Sequence, residues 1–360
     1  MEPYVISFLV SMSCVTVIGF LGNVIVIVVY LFDRNLKSTT NYLFVNLSIT
    51  DILIVLTCFP VGILDLINEG EWRLGELICL SDHFIENLLT SVSSLTLISI
   101  SLERFYATMF PLHVRIVNSK KNLLALLIGI WLTSALISTP FISFTTYREE
   151  NYNGTIISYC YNDRSLFYKI YSSTSTSLFV FAPSFILSAV YLIIIQKLKN
   201  INSSFEISLL EKTKRDRRSN FSISKSSSCS IFYSNKKECE NYDFRKTSSV
   251  SFLKQKHSIF RNSSTSYLIA KRKQTITICL ISLAFFFCQI PLKIFQLFNF
   301  FYKFESTTIE KDLIRFRIMN FIFLTTKFLY FLHGMSNPII YNLMSTKFRR
   351  SFRKAVLCKL

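Results

Sequence analysis

Seven apolar stretches of twenty or more residues constrain this chain before anything else does. They run roughly over 5–32, 40–67, 77–109, 122–146, 169–197, 267–301 and 314–343. At 1.5 Å of rise per residue, about twenty helical residues cross the roughly 30 Å of hydrocarbon in a bilayer. Of 360 residues, 51% are hydrophobic and 35 are Phe. A soluble domain has to keep a largely polar surface and could not cover that much apolar area. The fold class expected is therefore an all-α membrane protein: a bundle of seven transmembrane helices over 5–343, preceded by a short extracellular N-terminus at 1–4. The first thirty residues lack the basic start and small-residue cleavage site of a signal peptide, so they read as a spanning helix.

The net charge is +18, which in a soluble protein would suggest nucleic acid. Its distribution argues against that partner. Lys and Arg gather in 33–40, 113–121, 197–273 and 347–359, alternating with acid-bearing segments at 65–76, 148–163 and 305–312. This alternation is the positive-inside pattern and sets an outside N-terminus and an inside C-terminus. The Ser-, Asn- and Lys-rich segment 198–266 has no helical period and reads as a disordered cytoplasmic loop. It carries hydroxyls beside basic residues in "KSSSCS" and "RKTSSVS". After the seventh span, Phe348, Phe352 and Val356 recur every four residues opposite Arg and Lys, so 344–360 reads as a basic amphipathic helix and tail on the inner leaflet. Cys358 near its end is a candidate for palmitoylation.

Charges and amides inside a span are costly and call for a partner or a role. Five spans carry polar or proline features at definite places: Asn23 in "GFLGNVIVI", Asp51 in "NLSITD", Trp131 and later Pro140 in the fourth span, Pro291 in "FFFCQIP", and Asn337, Pro338 and Tyr341 in "SNPIIYN". The third span ends in Glu103-Arg104-Phe105. Glu86, Ser93 and Arg104 are spaced by seven and eleven residues, about two and three turns, and so form one stripe that lipid would reject. No metal-spaced His/Cys cluster, phosphate loop or nucleophile motif stands out, and no internal repeat suggests a transporter.

This set resembles the rhodopsin-like (class A) G-protein-coupled receptors. "NPIIY" is similar to that family's NPxxY, and Glu103-Arg104-Phe105 to its DRY triplet. The stretch from "TNYLFVNL" to Trp72 and Gly75 is similar to receptors for thyrotropin-releasing hormone, growth-hormone secretagogues and ecdysis-triggering hormone. The resemblance implies a plasma-membrane receptor that binds an extracellular ligand, most simply a small neuropeptide, and activates heterotrimeric G proteins, with arrestin and receptor kinases as further partners. It implies a disulfide between Cys79 and Cys160. It assigns Glu103, Arg104, Phe105, Tyr191, Pro291, Asn337, Pro338 and Tyr341 to the activation switch, with Tyr191 and Tyr341 approaching Arg104 in the active state.

By the same resemblance Glu86, Asn87, Gln289, Lys293, Gln296 and Lys327 line the ligand pocket. Lys327 either pairs with Glu86 or meets the ligand. Asn23, Asp51, Ser93, Ser336 and Asn337 form a polar core that holds either an allosteric sodium ion at Asp51 or a hydrogen-bonded network; no other cofactor is implied. Asn153-Gly154-Thr155 is an outside glycosylation sequence. Three departures bear on signalling. Gln289 stands where the family has the tryptophan of CWxP. Thr108-Met109-Phe110 replaces a small-polar run. Lys271 stands where some members have an acid that locks Arg104, which predicts appreciable basal activity. The alternatives are a divergent decoy or orphan that binds ligand without signalling, and a receptor for a non-peptide small molecule.

Overall fold

The computed structural model of the chain describes residues 3–33, 38–68, 71–109, 120–152, 155–163, 165–197, 200, 273, 275–299, 301, 309–344 and 346–356. Among them, seven helices are long and apolar enough to cross a membrane: Tyr4–Leu31, Thr39–Ile67, Gly75–Met109, Lys121–Ser143, Leu166–Lys197, Thr275–Asn299 and Ile314–Asn342. They are called the first to seventh helices below. An eighth, short helix, Thr346–Val356, follows. Two compact units partition the chain. One, Met1–Tyr191 with Ile276–Leu360, carries the bundle; the other, Leu192–Thr275, is described only at 192–197, Asn200, Lys273 and Thr275. The expected loop 198–266 falls outside the described residues apart from Asn200, as do Asn153 and Cys358.

Prolines inside helices create a local problem that the bundle solves. A proline has no N–H and its ring displaces the carbonyl four residues before it. Pro338 in the seventh helix frees the Gly334 carbonyl, and Asn23 Nδ2 of the first helix donates to it at 2.7 Å. Asn23 Nδ2 also donates to Gly19 O at 2.9 Å. That reach requires close helices. A Cβ on Gly22 would lie 2.9 Å from the Pro338 ring, and one on Gly19 would lie 3.2 Å from Met335 N. Pro183 in the fifth helix poses the same problem for Phe179. There the backbone widens into a π-turn at Ser177–Phe181, and Ser94 Oγ of the third helix donates to Phe179 O. Asn46 ties three further helices: its Nδ2 donates to Thr96 Oγ1 at 2.8 Å and its Oδ1 accepts from Trp131 Nε1 at 3.0 Å.

The fourth helix is shorter than the apolar run 122–146. Pro140 opens a last short turn, Pro140–Ser143, and the chain then turns into a strand, Thr145–Tyr152, antiparallel to Thr155–Asn162. The β-branched pair Thr145 and Thr146 suits the strand, and the strand's partner is anchored, since Cys160 is disulfide-bonded to Cys79 at the start of the third helix. Trp72 holds the same corner. Its backbone N–H donates to Ser158 O at 2.8 Å and its indole N–H to Gly75 O at 2.8 Å. Gly75 has φ of 81°, a left-handed conformation that glycine adopts without strain. The sixth helix, read as 267–301, is described from Thr275 to Asn299.

Gly22→Ala should lower stability by about 1–3 kcal/mol, the usual cost of overpacking. Gly129→Ala meets nothing within 4 Å and should be neutral or stabilising by about 0.5–1 kcal/mol. Thermal unfolding of the two purified variants in detergent checks both.

Candidate functional site

The disulfide marks one end of the bundle and Arg104 the other. At the disulfide end Glu86 is buried, 3% exposed, on the third helix. Its Oε1 accepts from Lys293 Nζ of the sixth helix at 3.1 Å and from Gln296 Nε2 at 3.4 Å. Its Oε2 faces Lys327 Nζ of the seventh at 3.7 Å. Lys293, Gln296 and Glu86 meet because positions 293 and 296 share one helical face. One carboxylate thus joins three helices and serves two ammonium groups. The sequence left open whether Lys327 pairs with Glu86. The structure brings both lysines to it, with Lys293 the shorter and more deeply buried partner.

A cavity of about 180 Å³ opens beside this cluster, lined by Asp65, Asp82, Glu86, Gln296, Lys327 and Trp72 among others. A water needs roughly 10–15 Å³ of such space, so the cavity has room for at least a side-chain-sized group. Three carboxylates, Asp65, Asp82 and Glu86, and one lysine, Lys327, line this space. Lys327 also lies 5.8 Å over the Phe323 ring and 5.9 Å over the Tyr330 ring. The exposed hairpin adds Glu149 and Glu150. Tyr147 donates to Glu149 Oε1 at 2.6 Å, and that bond raises the phenol above its usual range. Asn87, expected in the pocket, donates to its own helix at His83 O, 2.8 Å away. Gln289 is fully buried, and neither its amide oxygen nor its nitrogen has a hydrogen-bond partner.

Midway, Asp51 Oδ2 accepts from Asn337 Nδ2 at 2.8 Å, and Asp51 Oδ1 lies 3.6 Å from His333 Nδ1. Asp51 Oδ1, Ser93 Oγ and Asn337 Oδ1 are buried oxygens without a hydrogen-bond partner. Oxygen donors around one carboxylate suit a hard cation. The rest of the expected polar core is engaged elsewhere: Ser336 Oγ donates to His333 O at 2.7 Å and the Asn23 amide donates to Gly334 and Gly19.

At the other end Thr40 of the second helix stands between the two charges of the triplet. Its hydroxyl lies 2.8 and 2.7 Å from the Glu103 carboxylate oxygens and accepts from Arg104 Nη2. Phe105 packs edge-on to Tyr106. Tyr341 sits in a ring cluster with Tyr30, Phe44 and Phe348. Tyr191 OH is bonded to Ser101 and to Ser282. Sequence reading missed Thr40, Ser101 and Ser282. Small hydroxyls in apolar runs carry no signal of their own; only the helix packing shows which of them face a charge.

Seven spanning helices, a disulfide-anchored hairpin over a charged cavity, and an acid–arginine pair at the opposite end define a seven-helix membrane receptor. The chain belongs to the 7 transmembrane receptor (rhodopsin family), whose profile matches residues 22–341. It is a multi-pass membrane protein. It is 35% identical over 138 residues to galanin receptor type 2 of Homo sapiens, covering 38% of this chain and 35% of that receptor. It is 25% identical over 349 residues to growth hormone secretagogue receptor type 1 of Mustela putorius furo, covering 94% of this chain and 78% of that receptor. The match thus spans about a third of the length of the galanin receptor and most of the length of the secretagogue receptor.

Removing one partner of a buried ion pair strands the other charge. Glu86→Gln should therefore cost about 3–5 kcal/mol. Adding Lys293→Met should recover most of it, because the remaining Lys327 side chain is 20% exposed and the Lys293 side chain only 4%. A double-mutant thermal-unfolding cycle measures the coupling.

Proposed function

We propose that the protein is a receptor for an extracellular peptide and that it drives nucleotide exchange on a heterotrimeric G protein from the plasma membrane. The observation that carries this reading is the third helix itself. It places Glu86 against the cavity at one end and Arg104 at the other, eighteen residues or about 27 Å apart. A ligand that changes the Glu86 cluster alters how the third, sixth and seventh helices are tied, and the Arg104 end of the same helices responds. In equilibrium terms the ligand favours one of two helix arrangements by its differential affinity for them. The relatives, named as receptors for galanin and for growth hormone secretagogues, support the peptide class. So does the cavity, which admits one side-chain-sized group of a larger ligand whose remainder would lie across the acidic hairpin. The disulfide end faces outside in this reading and the basic eighth helix lies on the cytoplasmic leaflet, within reach of arrestin and receptor kinases.

The orphaned, buried Gln289 favours a second reading, a heptahelical protein that binds ligand without signalling. A neutral amide replaces the aromatic that the resemblance places there, and nothing it touches by hydrogen bond would transmit ligand movement.

G-protein activation in cells challenged with a neuropeptide library, beside Arg104→Ala at equal surface level, separates the two. A peptide response that the variant loses supports the receptor. Surface expression with neither basal nor evoked response supports the decoy.

For the polar core, sodium would be held by Asp51 Oδ1, Ser93 Oγ and Asn337 Oδ1. Its test is melting temperature in sodium against equimolar N-methylglucamine. A rise of several degrees, absent in Asp51→Asn, is expected; equal melting in both salts rules the ion out.

A further inference from the structure

Three buried hydroxyls from three helices form a chain at the Arg104 end. Ser101 is on the third helix, Tyr191 on the fifth and Ser282 on the sixth, and they are 0, 3 and 1% exposed. Tyr191 OH bonds Ser101 Oγ, and lies 3.0 Å from Ser282 Oγ. The direction of each bond follows from proton counting. A serine hydroxyl has one proton to donate. That of Ser101 goes to Leu97 O, 2.7 Å away in its own helix. Ser101 therefore accepts from Tyr191. The single Tyr191 proton is then used, so Tyr191 accepts from Ser282. The chain runs Ser282 to Tyr191 to Ser101 to Leu97 O, with every proton placed. Ile100, Ile278, Ile281 and Phe285, all at most 1% exposed, supply apolar packing on the third and sixth helices nearby.

The setting makes this chain bistable. In a buried, apolar setting a hydroxyl that loses its partner costs free energy until it finds another. The three helices thus gain nothing from small separations and lose the bond outright in large ones. Ser101 precedes Arg104 by three residues, one turn along the same helix, so the tie acts beside the triplet at the bundle's Arg104 end.

We propose that the Ser282–Tyr191–Ser101 hydroxyl chain is the lock that holds the sixth helix against the third in the resting state. This inference rests on the receptor reading above. The lock is uncharged, so neither ionic strength nor pH near neutrality should release it. Activation breaks the Ser282 arm, which frees the Tyr191 hydroxyl for a new partner. The strength of that arm then contributes to the basal signalling rate.

The test uses the full chain in cells and in detergent. Ser282→Ala should raise basal G-protein activation about three- to tenfold at matched surface level, the population shift expected for losing one net hydrogen bond. Ser282→Thr, which keeps the hydroxyl, should stay near wild type. In detergent, melting of Ser282→Ala, Tyr191→Phe and the double variant should be non-additive, because either change cuts the same bond. Unchanged basal activity of Ser282→Ala in a receptor that still answers its peptide overturns the lock. Additive melting losses overturn it too. Non-additive melting with no signalling from any form, wild type included, leaves the tie as a structural bond and overturns both the lock and the receptor reading.

Discussion

Hydrocarbon offers no hydrogen bonds, so each polar group that enters the bundle has to be satisfied by the protein itself. Much of this structure follows from that constraint. Pro338 and Pro183 release carbonyls that water would hydrate in a soluble protein. Here side chains from neighbouring helices take them: Asn23 reaches Gly334 O, and Ser94 reaches Phe179 O. Each repair fixes a helix pair and its register. Gly19 and Gly22 serve the first repair by letting the backbones approach, and the Asn46 bonds to Thr96 and Trp131 extend the scheme to the second, third and fourth helices.

The same constraint gives the charged sites their character. Glu86, Lys293 and Lys327 could not each stand alone in the membrane, and bringing them together joins three helices at one carboxylate. That makes the disulfide end of the bundle sensitive to added charge. The Arg104 end differs, since Thr40 stands between Glu103 and Arg104 and a chain of neutral hydroxyls links Ser101, Tyr191 and Ser282. Gln289, buried and unpartnered, lies on the sixth helix between the two ends.

Helix number was legible because length and hydropathy are local properties. So was the stripe of Glu86, Ser93 and Arg104, whose spacing alone places them on one face. The end of the fourth helix was not. Residues 144–146, Phe-Thr-Thr, carry no charge to mark a boundary, yet Thr145 pairs with Asn162 in a strand whose partner carries the disulfide-bonded Cys160. The pairing of Lys293 with Glu86 was equally out of reach, because both lysines had a plausible face and only helix rotation and distance rank them.

The sequence by itself determined that seven helices cross a membrane and which residues would be too polar to face lipid, since burial of each run depends only on its own composition. The tertiary structure decided who partners whom: Asn23 with a carbonyl freed by Pro338, Glu86 with two lysines, Thr40 with both charges of the triplet, Tyr191 with two serines. A hydrogen bond needs its atoms within about 3 Å, and that distance between residues up to 311 positions apart is set by helix packing, which no local pattern records.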